Sequence, residues 1–148
     1  MEDLSQKRFT DTLAPDAVSA ELLPIVKDLG VLNNCRELAS QGWTVVEAVA
    51  APEFTTALRA AILKLSSRGG ANMLLAKDKV FAEAVLQPKL LALAEFSVGR
   101  GFLLSQVAAS VREKNAPCIG LHADHNWLPA PFPEHNMLLT ACWACDEY

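Results

Sequence analysis

The stretch FLLSQVAASV, residues 102–111, decides the fold because the sequence changes character there. A short run of apolar and β-branched residues is typical of a β-strand. The chain before it, from residue 33, carries helix signals, whereas the chain after it carries further strand signals. Helices that come first and strands that come later indicate an α+β fold rather than alternating β-α-β units.

Four helices are predicted between residue 33 and this stretch. An asparagine at 33–34 caps the first helix, and Gly42 stands where its C-terminal stop belongs. Pro52 suits the first turn of the second helix, in which apolar residues recur at helical spacing. Asp78 is expected to cap the third helix and Pro88 to begin the fourth. Ahead of them, a short helix capped by an aspartate at position 16 is expected to end at a proline at position 24.

Further strands are predicted around the same stretch. The segment WTVVEAV, residues 43–49, lies between the first two helices and is rich in β-branched residues. Residues 118–124 are expected to form another strand. Residues 126–136 contain three prolines and are predicted to be a loop. The apolar run MLLTACWACD, residues 137–146, is predicted to be a buried strand.

Size and composition narrow the class of protein. The chain has 148 residues, 51% of them hydrophobic and 20% charged, which fits one folded domain and excludes a disordered chain. A net charge of −4 argues against nucleic acid as a partner, because phosphate binding needs a basic surface. The sequence has no unbroken apolar run of about 20 residues, so no membrane span is expected. Four cysteines and a start without an apolar signal stretch favour a cytoplasmic protein.

His122 and Asp124 form the motif with the clearest chemistry. Residues two apart in a strand point to the same face, so the imidazole and the carboxylate are placed to share a metal ion. With a second histidine from elsewhere they would make the facial triad of non-haem Fe(II) oxygenases. The alternative is a hydrogen-bonded His-Asp pair near the end of a sheet, and the spacing by itself does not decide between the two.

Two other groups of residues admit functional and structural interpretations. Cys142 and Cys145 form a CxxC, which suits a redox dithiol or half of a zinc site, but two small buried core residues fit a strand-like run better. In the proline-rich loop, Trp127, Phe132 and His135 either line a substrate pocket or cover the surface. His135 is not expected to complete a metal site, since the loop would need a sharp return.

The order of these segments resembles phytanoyl-CoA dioxygenase-like proteins. Residues 37–62 resemble the N-terminal helix-strand-helix of that family, and residues 78–99 resemble its next helical pair. The stretch GLHADHNWLP, residues 120–129, is similar to the family's iron-binding strand and the loop after it. LTACWACDEY, residues 139–148, resembles the strand that follows. The resemblance implies helices packed on an incomplete double-stranded β-helix, a jelly-roll or cupin-like core, over residues 33–148, with residues 1–32 as an N-terminal extension.

The resemblance also implies an activity and a set of site residues. It implies a dioxygenase that uses Fe(II), 2-oxoglutarate and O2 to hydroxylate an aliphatic C–H bond of a small molecule or acyl substrate. His122 and Asp124 match the family's first two iron ligands. Trp143 matches an aromatic position beside 2-oxoglutarate, and Ser110 corresponds to a polar position that contacts it.

Two residues of the family pattern are missing from the sequence. The family's third ligand, a histidine, comes from a later strand and is followed by an arginine that pairs with 2-oxoglutarate. The last basic residue here is Lys114, so we expect these 148 residues to be the N-terminal part of a longer oxygenase. The alternatives are an inactive interaction or regulatory module derived from that family, and a thiol redox or zinc protein built on Cys142 and Cys145. The sequence indicates neither the identity of the substrate nor the oligomeric state.

Overall fold

A computed structural model describes residues 17–66, 70–117, 120–124, 127–131, 133 and 135–146. The chain divides into two compact units. Unit 1 comprises Met1–Glu47, Pro88–Phe102 and His122–Ala141, and unit 2 comprises Ala48–Gln87, Leu103–Leu121 and Cys142–Tyr148. The predicted helix cap at position 16 and the predicted pocket residue Phe132 lie outside the described residues.

The described residues form five α-helices, one 3₁₀ helix and one two-stranded sheet. In chain order these are α1 (Leu23–Asp28), α2 (Leu32–Gln41), α3 (Pro52–Leu65), β1 (Gly70–Ala71), the 3₁₀ helix Leu74–Ala76, α4 (Lys79–Val85), α5 (Pro88–Val98) and β2 (Ala109–Ser110). None of the helices in this part of the chain is long and apolar enough to cross a membrane.

Unit 1 is built on α1, α2 and α5, which pack against one another. Their apolar faces form a single buried cluster, in which Val26 and Cys35 are almost completely shielded from solvent. The cluster comprises Leu22, Val26, Val31, Cys35, Ala92, Leu93 and Phe96. Removal of this apolar surface from water is the main source of stability for three helices that are too short to persist alone.

Unit 2 is built on α3, α4 and the 3₁₀ helix. Its buried cluster comprises Leu58, Ala61, Leu74, Val80, Phe81 and Ala84. The sheet of this unit is antiparallel, with Gly70 opposite Ser110. A Cβ at Gly70 would lie 3.3 Å from the carbonyl oxygen of Ala109, a close approach that favours glycine in this strand.

Several predicted helix boundaries are confirmed. Gly42 ends α2 with a left-handed φ of 80°, a conformation that glycine adopts without steric cost. α3 begins at Pro52, and the Asp78 carboxylate accepts a hydrogen bond from the backbone N–H of Val80 at 3.1 Å as the cap of α4. α5 begins at Pro88 as predicted.

Two predicted boundaries are wrong. Pro24 does not end a helix but lies in the first turn of α1, where its missing N–H costs no hydrogen bond. α2 begins one residue before the asparagine pair, and Val31 is its N-cap without any side-chain hydrogen bond. The Asn34 amide instead donates to the Thr44 hydroxyl at 2.8 Å and to the Val45 carbonyl at 3.0 Å.

Loss of the Asp78 cap should weaken unit 2. Asp78→Ala removes the acceptor of the Val80 N–H and is expected to lower the free energy of unfolding by about 1 kcal/mol. Urea denaturation followed by circular dichroism measures this difference. Asp78→Ser is the matched control, since serine is also a good N-cap and should retain most of the stability. Equal losses in the two variants would show that the cap contributes nothing.

The predicted strands are largely wrong. In the described parts of residues 43–49, 118–124 and 137–146 no β-strand is formed, and only Ala109–Ser110 of residues 102–111 pairs with another strand. The residues that the structure describes therefore show a helix-rich α+β arrangement without a jelly-roll core. An apolar run does not by itself make a strand, because a strand also needs a neighbour for its N–H and C=O groups, and Trp43, Val45 and Leu103 in these runs are largely exposed. In the first of these segments, the left-handed φ of 48° at Ala48 is also incompatible with a continuous strand.

Candidate metal site

His122 and Asp124 lie close together in unit 1, although they do not share a strand. Nε2 of His122 is 3.5 Å from Oδ1 of Asp124. The two side chains are 55% and 51% exposed, so solvent and small ions reach both. Asp124 stands in a turn, and this turn rather than a strand pleat brings the carboxylate towards the imidazole.

Thr140 is a third member of this group that the sequence did not reveal. Its hydroxyl donates a hydrogen bond of 2.9 Å to Oδ2 of Asp124, sixteen residues away in the chain. This bond holds one carboxylate oxygen and leaves the other, Oδ1, directed at His122. An isolated threonine in an apolar run carries no local signal for such a role, because the contact depends on how the chain returns after the proline-rich loop.

The geometry suits two ligands of a small divalent cation. A charge-assisted hydrogen bond between imidazolium and carboxylate is usually about 2.7–2.9 Å long, and the His122–Asp124 separation of 3.5 Å is longer. Two ligand atoms at about 2.1 Å from a metal and at right angles to each other are about 3 Å apart, so metal binding in that geometry would bring Nε2 and Oδ1 about 0.5 Å closer together. The donor types, one nitrogen and one carboxylate oxygen, also match two corners of the facial triad.

A complete set of protein ligands is not present around this pair in the described residues. No group of three or more His, Cys, Asp or Glu side chains suited to a metal ion occurs in that part of the chain. A facial triad built on this pair would take its third donor from outside the described residues. The pair has the donor chemistry of an open site, in which other positions are left for water or for a cosubstrate.

The structure describes two of the three residues of the predicted substrate pocket. Trp127 and His135 belong to unit 1, like the metal pair. The Trp127 side chain is largely exposed, at 61%, whereas His135 is half-buried. An exposed tryptophan with an accessible apolar face is compatible with ligand binding as well as with a surface loop. The role of Trp127, Phe132 and His135 as pocket residues stays a prediction.

The two residues predicted to contact 2-oxoglutarate belong to unit 2. Trp143 packs its ring against Phe54, with ring centroids 5.3 Å apart and planes inclined by 53°, and it contacts the buried cluster of that unit. Through this tilted aromatic contact, Trp143 acts as a packing residue of unit 2. Ser110 is exposed in β2, where it pairs with Gly70. Contact of Trp143 and Ser110 with a cosubstrate stays a prediction.

The cysteine pair does not have the environment of a redox dithiol. Burial raises the pKa of the Cys145 thiol, an effect that the nearby Arg59 guanidinium opposes and the Asp146 carboxylate reinforces. A reactive dithiol needs the opposite, a lowered pKa that populates the thiolate. Cys142 is exposed, whereas Cys145 is half-buried against the core of unit 2. These surroundings favour a structural role for Cys145.

Buried cysteine thiols should react more slowly with alkylating reagents than exposed ones. Burial also raises the pKa of Cys35, whose side chain is 1% exposed, so its thiolate is scarce at pH 8 and its sulfur is shielded. Iodoacetamide at that pH is expected to alkylate Cys142 at least about ten times faster than Cys35. Peptide mass spectrometry at timed intervals measures both rates, and a sample in urea, where the rates should converge, is the control. Equal rates in the folded protein would contradict the burial of Cys35 in unit 1.

The chain matches no family model, no curated protein and no solved structure. The resemblance to phytanoyl-CoA dioxygenase-like proteins thus rests on the sequence segments quoted above.

Proposed function

We propose that this chain carries two iron ligands, His122 and Asp124, of an Fe(II)- and 2-oxoglutarate-dependent dioxygenase. The observation that supports this most is the geometry of the pair, with Nε2 and Oδ1 3.5 Å apart, accessible to solvent and too far apart for a short hydrogen bond. The motif GLHADHNWLP and the segments around it supply the reaction class by resemblance.

In this proposal each residue of the group has a separate task. His122 and Asp124 hold Fe(II) through one nitrogen and one oxygen. Thr140 keeps the Asp124 carboxylate in one orientation by donating to Oδ2, as hydrogen-bond partners of metal ligands commonly do. The bound iron would couple oxidative decarboxylation of 2-oxoglutarate to hydroxylation of an aliphatic C–H bond. The presence of Asp124 favours hydroxylation over halogenation, because related halogenases have a small residue at that position.

The proposal includes the finer predictions of fold and location. Strands beyond the described sheet would complete a jelly-roll core, and the third iron ligand, a histidine, and the arginine for 2-oxoglutarate would come from outside the described residues. The substrate would be a small molecule or an acyl compound next to Trp127 and His135, and the protein would act in the cytoplasm. Nucleic acid and membranes are not proposed as partners.

Turnover of 2-oxoglutarate tests the proposed reaction. The proposed longer oxygenase, which includes the third iron ligand and the arginine, is incubated with Fe(II), O2 and 2-oxoglutarate labelled at the carboxyl carbon that is lost as CO2. We expect O2-dependent release of labelled CO2 and formation of succinate, both abolished in His122→Ala and retained in Cys142→Ser. Retention in His122→Ala, or loss in Cys142→Ser, would contradict the assignment.

A second outcome would favour the alternative function. If the protein binds Fe(II) through His122 but forms no succinate, the chain is better described as an inactive interaction or regulatory module. The observation that favours this alternative is that the described residues supply two ligands and no third. A thiol redox or zinc protein is less favoured, because burial raises the pKa of Cys145.

A further inference from the structure

An open groove in unit 2 runs along the outer face of α3. It has a volume of about 580 Å³, within the range of small-molecule sites. One wall consists of helix residues spaced three and four apart, and the opposite side comes from the segment before α3 and from Cys145. The residues that line it are Ala48, Ala50, Pro52, Thr55, Thr56, Arg59, Ala60, Leu63 and Cys145.

Small side chains give this groove its room and its apolar character. Ala48, Ala50 and Ala60 occupy positions where longer side chains would fill the space. Leu63 and the methyl groups of the threonines add apolar surface, and Leu63 is 44% exposed. Arg59 is the charged residue among those that line the groove. The lining therefore combines one fixed cation with an apolar wall.

The Arg59 guanidinium already binds a carboxylate. Its Nε and Nη2 donate to the same oxygen, Oδ2 of Asp146, at 2.8 and 2.7 Å. The two side chains are 47% and 70% exposed, and an ion pair of that exposure contributes little to stability. A guanidinium has five N–H donors in a rigid fork, so it can donate to another carboxylate beside or in place of Asp146.

We propose that this groove binds a small organic carboxylate with an apolar body, independently of the proposed iron chemistry. The ligand carboxylate pairs with Arg59, and its hydrocarbon part lies along Ala60 and Leu63 on α3. When no ligand is bound, the Asp146 carboxylate pairs with the Arg59 guanidinium, so Asp146 competes with the ligand carboxylate for Arg59. None of the three residues of the metal group, His122, Asp124 and Thr140, lines the groove.

Hexanoate is the probe that tests this site, with 1-hexanol as the uncharged match for its carbon chain. We expect hexanoate to bind with at least tenfold higher affinity than 1-hexanol in calorimetric titrations. Arg59→Gln should lower hexanoate affinity at least tenfold, because charge-assisted hydrogen bonds to the carboxylate are lost. Arg36→Gln, which removes the same charge from an exposed arginine of unit 1, is the control and should leave affinity unchanged.

Two further variants test the geometry of the proposal. Asp146→Asn should raise hexanoate affinity about two- to fivefold, since it removes the competing carboxylate. Ala60→Trp should abolish binding by filling the groove, while the circular dichroism spectrum stays that of the parent protein because residue 60 is exposed. Equal affinity in Arg59→Gln and Arg36→Gln, or equal binding of hexanoate and 1-hexanol, would overturn the proposal. Unchanged affinity in Asp146→Asn would overturn the role of Asp146 as competitor.

Discussion

Phe81→Ala should lower the free energy of unfolding of unit 2 by about 3–5 kcal/mol, the range seen for buried aromatic residues. Phe81 is 2% exposed on α4 and belongs to the cluster that joins this helix to α3 and the 3₁₀ helix. Truncation removes the apolar surface and leaves a cavity that the surrounding elements fill only partly. For a chain of this size, such a loss is a large fraction of the usual total stability.

Chemical denaturation at several urea concentrations measures the effect of Phe81→Ala. Leu86→Ala is the control at the C-terminal end of α4, because Leu86 is 64% exposed and should change the free energy of unfolding by less than about 0.5 kcal/mol. A loss below about 1 kcal/mol in Phe81→Ala would mean that Phe81 is not part of a packed core.

His122→Ala should lower Fe(II) affinity by more than about 100-fold, since it removes one of the two proposed ligands in the described part of the chain. Loss of a hydrogen-bond partner of a ligand alone commonly costs about 10–100-fold. Thr140→Val should therefore weaken binding about tenfold, whereas Thr140→Ser, which retains the hydroxyl, should bind as the parent does. Anaerobic competition with a chromophoric chelator gives all of these affinities.

His135→Ala is the matched control for the His122 variant. Both histidines belong to unit 1, but the sequence predicts that His135 does not complete the metal site. Its removal should change Fe(II) affinity by less than about threefold. A large loss in His135→Ala, or none in His122→Ala, would place the metal elsewhere.

The helices were largely predictable from local chemistry. Gly42, Pro52 and Asp78 act within one turn of their own position, so the sequence alone shows what they do. Pro24 shows the limit of such signals, because proline suits the first turn of a helix as well as the residues after its end. The choice between the two depends on packing of Val26 in unit 1, which no local pattern contains.

Strands were less predictable, because a strand is defined by a neighbour that can be far away in the chain. The sequence predicts a buried strand at residues 137–146, but none of these residues is buried, and Trp143 and Cys145 are half-buried against the core of unit 2. The regular pairing expected there is also absent from the described residues. Burial and hydrogen bonding are separate requirements, and an apolar pattern guarantees neither.

In the candidate site, the contact between neighbouring residues could be predicted, whereas the contacts between distant residues could not. The spacing of His122 and Asp124 indicated that their side chains would meet, and they do, although through a turn rather than a strand. The Thr140 hydrogen bond and the Arg59–Asp146 pair join residues far apart in sequence, so no motif could have revealed them. The first contact depends on how the chain at Thr140 returns to Asp124 in unit 1, and the second on how the chain at Asp146 returns to α3 in unit 2.

Nuclear magnetic resonance of the imidazole nitrogens tests the metal assignment most directly, since the chain has three histidines. Protein labelled with ¹⁵N at histidine is titrated with Zn(II), a diamagnetic substitute for Fe(II) that accepts the same nitrogen and carboxylate ligands. We predict that the Nε2 signal of His122 shifts in proportion to bound metal, that the shift disappears in Asp124→Asn, and that the His135 signal stays in place. An unchanged His122 signal at saturating Zn(II), or a shift confined to the other histidines, would contradict the assignment.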